Sequence, residues 1–88
     1  MKIKNGFMLR EIAGIWVVVP LGARVVEFNG LISLSETGAF IWQMLEEGYN
    51  KQNIISAVLA EYDIDEKTVR EDIDEFITQA LEKGLVEE

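Results

Sequence analysis

Eighty-eight residues, 49% of them hydrophobic, make one small domain spanning residues 1–88, with a single core and a composition that argues against disorder. There is no cysteine and no histidine, so disulfides, a thiol nucleophile and the usual proton shuttle are all excluded. The formal net charge of −8 is unevenly placed: residues 1–34 carry four basic and two acidic side chains, residues 35–88 four basic and fourteen acidic.

Residues 7–12 read as a first strand between Gly6 and Gly14, and the charged residues Arg10 and Glu11 in mid-strand imply that one face of the strand meets water. Ala13-Gly14 is a tight turn. Residues 15–19, Ile-Trp-Val-Val-Val, are β-branched and aromatic, and form a second strand ended by Pro20. After a short connection, residues 24–28 read as another strand. Asn29-Gly30 then gives the best turn signal in the chain, a type I′ hairpin leading into residues 31–34.

Ser35 caps a helix over residues 36–47 that stops at Gly48. Ala39, Phe40, Ile41, Trp42, Met44 and Leu45 cover most of its circumference, which places it centrally. Asn50 caps a second helix, residues 51–62, with an apolar face of Ile54, Ile55, Val58, Leu59 and Tyr62. Asp65 caps a third, residues 66–83, with the stripe Val69, Ile73, Phe76, Ile77, Ala80 and Leu81. Leu85 and Val86 return to the core. The class is therefore α+β: a small antiparallel sheet of three strands, or four if the Asn29-Gly30 hairpin adds one, then three helices in a winged helix-turn-helix arrangement.

No apolar run approaches the ~18 residues of a membrane span, and MKIKNGF leads into no signal-peptide core. A cytoplasmic location is the expectation. Catalysis is the weakest reading: Ser33 and Ser35 have no histidine base, and the acidic residues of the third helix form the solvated side of an amphipathic helix. Asp63-x-Asp65-Glu66 lacks the glycine and distal glutamate of a calcium loop, and helix capping accounts for it. No catalytic, metal or cofactor site is expected.

The fold class makes a DNA-binding regulator the natural rival. From Asp65 to Lys83 the would-be recognition helix carries seven acidic and three basic residues, the wrong sign for a phosphate-lined groove. A structural subunit that docks on a larger enzyme is a third reading. Peptide binding fits better, because an exposed sheet edge offers unpaired N–H and C=O groups to an added strand. The same edge would allow a homodimer.

The run Leu34-Ser35-Glu36-Thr37-Gly38-Ala39-x-Ile41-Trp42-x-x-Leu45-x-x-Gly48, with the Asn50-capped helix, the Asp63-Ile64-Asp65 turn and Leu81-x-x-x-Leu85 with Gly84, resembles the PqqD-like family. These proteins are also called recognition elements for ribosomally synthesised, post-translationally modified peptides. Ser35 stands where family members often have asparagine; both cap helices. The resemblance implies a non-catalytic adaptor that binds the leader segment of a precursor peptide and presents it to a modifying enzyme, often a radical SAM enzyme. It implies a leader strand added beside the third strand, against the third helix. The peptide-binding residues expected on that basis are Val25, Val26, Glu27, Phe28, Leu31, Ile32 and Ser33 from residues 25–34, and Val69, Arg70, Ile73, Phe76 and Ile77 from residues 66–83.

Overall fold

The computed structural model describes residues 1–27 and 32–87. In chain order the elements are β1 (Lys2–Ile3), β2 (Phe7–Ile12), β3 (Ile15–Pro20), α1 (Arg24–Glu27), β4 (Ile32–Leu34), α2 (Glu36–Glu46), α3 (Lys51–Glu61), α4 (Glu66–Glu82) and β5 (Val86–Glu87). The main sheet is antiparallel with order β2-β3-β4, and β1 and β5 pair separately.

β2 and β3 form a tight hairpin in register from Phe7↔Pro20 to Ile12↔Ile15. Ala13 and Gly14 take φ of 52° and 80° at its tip, as a type I′ turn demands. Alternation places Phe7, Leu9 and Glu11 on one face of β2, and Pro20, Val18 and Trp16 opposite them on β3. That face meets the helices. Met8, Arg10 and Ile12 lie on the outer, exposed face. Pro20 is accommodated as the last residue of β3, paired with Phe7.

Trp42, Ile41, Ile54, Ile55, Val58, Val69 and Ile73 are buried at the centre, where α2, α3 and α4 meet the sheet. α2 is the central helix that its nearly all-round apolar sequence predicts. Leu85 and Val86 return to this core, at 2% exposure each. The main-chain bond from Lys4 N to Leu85 O, 2.9 Å, together with the β1–β5 ribbon, ties the two ends of the described chain together. Sequence patterning gives no warning of a two-residue pairing across such a separation.

The strand expected over residues 24–28 is corrected. Residues Arg24–Glu27 are a helical turn, and the sheet has three strands. Two β-branched valines favour a strand locally, but Arg24 is fixed by a distant partner. Its Nε donates to Asn5 O at 3.0 Å, and its guanidinium carbon lies 5.4 Å from the centre of the Phe7 ring. Gly6 makes room for it: a Cβ there would sit 2.6 Å from Arg24 Cγ. The Arg24 and Val25 amides close the turn onto Leu21 O and Gly22 O at 3.0 and 3.2 Å. The Asn29-Gly30 turn, with Phe28 and Leu31, lies outside the described residues.

All three long helices start where their caps predict. Ser35 accepts from Gly38 N at 3.0 Å, Asn50 from Asn53 N at 2.8 Å, and Asp65 from Thr68 N at 3.2 Å. Asp65 also accepts from the Thr68 hydroxyl at 2.8 Å, and that bond, with the Thr68 amide next, holds its carboxyl below the usual aspartate range. A depressed carboxylate contributes fully above its unfolded-state titration and loses the contribution as pH falls through its folded-state value. Asp65→Asn keeps the cap acceptor and removes that titration. The expected result is that the wild-type advantage in thermal midpoint over Asp65→Asn narrows as pH drops from neutral into the acid range.

Candidate functional site

β4 pairs with β3 in the register Trp16↔Leu34, Val17↔Ser33 and Val18↔Ile32. Its other edge has no partner strand among the described residues. Ile32 and Leu34 share a face with Val18 and Trp16 and pack against the core; Ser33 is exposed on the outer face. The main-chain groups of β4 that do not meet β3 point along the sheet edge.

β4 runs directly into α2 through Ser35. There a cleft of about 280 Å³ opens between the first turns of α2 and the middle of α4. Its floor is Gly38, buried Ile41 and half-buried Phe76. Space at Gly38 is limited: a Cβ there would be tight against Ser35 Oγ at 3.3 Å and in ordinary contact with Leu34 Cβ and Phe76 Cε2 at 3.5 and 3.6 Å. The rim is polar, with Ser35 and Thr37 on α2 and Asp72, Glu75 and Gln79 on α4. Among the described residues two carboxylates and no lysine or arginine line it. An extended chain entering this cleft meets amide and carbonyl groups at the strand edge, an apolar floor, and negative charge along α4.

The residues expected from sequence separate in space. Phe76 is at the cleft. Val69 and Ile73, 1% and 0% exposed, lie under it in the core and hold α4 in place. Arg70 sits roughly 160–180° round the helix from Asp72 and Gln79, and donates to Glu66 Oε2 at 2.9 Å. Ile77 lines a different cavity, between α3 and α4, beside Tyr49 and Ile54. On the strand side Ile32 and Ser33 lie in β4. Val25, Val26 and Glu27 belong to α1, whose helical backbone offers no strand edge. The cleft also takes in Thr37, Gly38, Asp72, Glu75 and Gln79, which are not among the peptide-binding residues expected from the sequence. The spacing 72, 75, 76, 79 is a single helical stripe. It stays hidden because an acidic flank reads first as ordinary solvated surface.

Residues 16–86 match the family model described as coenzyme PQQ synthesis protein D, PqqD. The chain belongs to the PqqD family. Among solved structures, this PqqD-family chain is similar to TbiB1 in complex with the TbiA(beta) leader peptide. Identity is 31% over 99% of this chain and 95% of that one, with a TM-score of 0.80. It also shares its fold with a lasso peptide synthetase B1 complexed with the leader peptide, at 19% identity over 96% and 93% of the two chains and a TM-score of 0.77. Comparison with curated proteins returns no match. A PqqD-family fold accounts for both the three-stranded sheet and the three long helices seen here.

Proposed function

We propose that this chain is a non-catalytic adaptor. It binds the leader segment of a ribosomally made precursor peptide and presents it to a modifying enzyme, such as a radical SAM enzyme, in the cytoplasm. The observation that carries the reading is the β4 edge, open among the described residues and running into a cleft with an apolar floor. The leader adds as a strand along Ile32–Leu34, and its neighbouring residues lie over the floor formed by Gly38 and Phe76. The similarity to TbiB1, solved with a leader peptide, supports the same use of the fold. Main-chain pairing supplies affinity, while the Phe76 floor and the Asp72 and Glu75 rim select apolar and neutral or basic guest side chains. The acidic α4 repels a DNA backbone, so the DNA-binding reading has no support from charge.

The test is a titration of isotope-labelled protein with a leader peptide encoded beside its gene. Amide shifts are expected over residues 32–38 and 72–79. Gln79→Trp starts from an exposed position and fills the cleft. It is expected to weaken binding by about tenfold or more while leaving the unfolding midpoint unchanged. Saturable binding with shifts confined to other surfaces would overturn the site; no binding at all would overturn the function.

A further inference from the structure

The opposite side of α2 holds a second and larger cavity, of about 600 Å³. Ala39, Phe40 and Gln43 line it, whereas Thr37, Gly38 and Ile41 line the cleft. The two sets lie roughly 160° apart around the helix, and of the described residues only Ser35, at the helix cap, lines both, so a group seated beyond Ser35 in one leaves the other open. The cavity is walled by three aromatic rings: Trp16 of β3, Phe40 of α2 and Tyr62 at the end of α3. Phe40 and Tyr62 meet edge to face, with centroids 5.6 Å apart at 87°. Its charged residues are Glu11, the cross-strand partner of Trp16, and Glu36 in the first turn of α2. Among the described residues no lysine or arginine lines it, and Arg10 belongs to the other face of β2. The Tyr62 hydroxyl is pushed up in pKa by burial first, then by the fields of Glu36 and Glu61, in keeping with a negative potential here.

We infer that this cavity binds an arginine or lysine side chain presented by the modifying enzyme, and is the adaptor's second docking point. Aromatic faces attract a cation through the ring quadrupole, and the carboxylates accept its hydrogen bonds. The volume falls in the range of small-ligand sites, about 300–1,000 Å³. An adaptor must hold guest and enzyme together, and a site behind α2 stays open when the cleft is filled. The choice of partner rests on the adaptor reading; the cation specificity does not.

The probe is N-acetyl-arginine methylamide, titrated at millimolar concentration into the full chain, with the norleucine analogue as an apolar control. Saturable shifts are expected at the Trp16 indole and the Phe40 and Tyr62 rings. The norleucine analogue, and the variants Glu11→Gln and Glu11→Gln/Glu36→Gln, should each bind about tenfold more weakly. Leader peptide should bind the variants as it binds wild type, and leader-loaded protein should bind the arginine probe unchanged. The inference is overturned by an absent response, by equal binding of the norleucine analogue, by unchanged affinity in the double variant, or by loss of the site on leader loading. Failure of the leader to bind would instead strike the adaptor reading, with the arginine titration of unloaded protein still readable.

Discussion

Proline placed at Ile32 and, separately, at Ser33 is expected to give opposite outcomes. Successive amides along β4 alternate between facing β3 and facing the open edge. Proline has no N–H to donate. At one of the two positions it deletes a bond to β3; at the other it deletes the bond offered to a guest strand. The first variant loses stability, by about 1–3 kcal/mol for an orphaned carbonyl and a broken ladder. That is a large fraction of the roughly 4–13 kcal/mol typical of a chain this long. The second keeps its fold and loses leader affinity by about tenfold or more. Denaturation midpoints and leader titrations on both proteins separate the effects. Wild-type affinity in two folded variants would remove the β4 edge from the account.

Trp42→Ala is the largest expected stability loss. Trp42 is 0% exposed at the centre of α2, with the Phe7 ring edge-on at 6.5 Å. Truncating a buried tryptophan costs about 3–5 kcal/mol through lost burial and the cavity left behind. At the lower end of the expected stability, that leaves a substantially unfolded protein. The indole Nε1 has no hydrogen-bond partner among the described residues, and an unmet buried donor is itself worth about 1–3 kcal/mol. Trp42→Phe is therefore expected to cost less than half as much as alanine, because it removes the unmet donor along with part of the ring. Urea unfolding of the three proteins checks both values, and equal losses for phenylalanine and alanine would contradict the packing account.

The helices were legible because their signals are local. Ser35, Asn50 and Asp65 each bond to an amide three residues on, and no distant contact intervenes. The β2–β3 hairpin was legible for the same reason, through Ala13-Gly14 and alternation. Residues 24–27 were misread because Arg24 answers to Asn5 and Phe7, nineteen and seventeen positions away, and that anchoring outweighs the strand preference of two valines. The cleft was half legible. Phe76 stands out as a large apolar residue on an amphipathic helix, but Val69, Ile73 and Ile77 look the same in sequence, and only packing sends them to the core or to the α3 side. Which acidic flank of α4 meets the start of α2 is a tertiary fact. The family was legible in the run 34–48, where cap, glycine and apolar spacing combine, and the same run forms the end of β4, the cleft floor and the wall shared with the second cavity.

The adaptor role proposed for this chain requires a leader strand that adds to β4 against α4. Isotope-filtered nuclear Overhauser spectroscopy on the complex with an unlabelled leader peptide tests it directly. The predicted result is a ladder of contacts from peptide backbone protons to those of Ile32–Leu34, with peptide side chains touching the Phe76 ring. A bound peptide whose contacts fall on β2, or between α3 and α4, with none to β4, would contradict it.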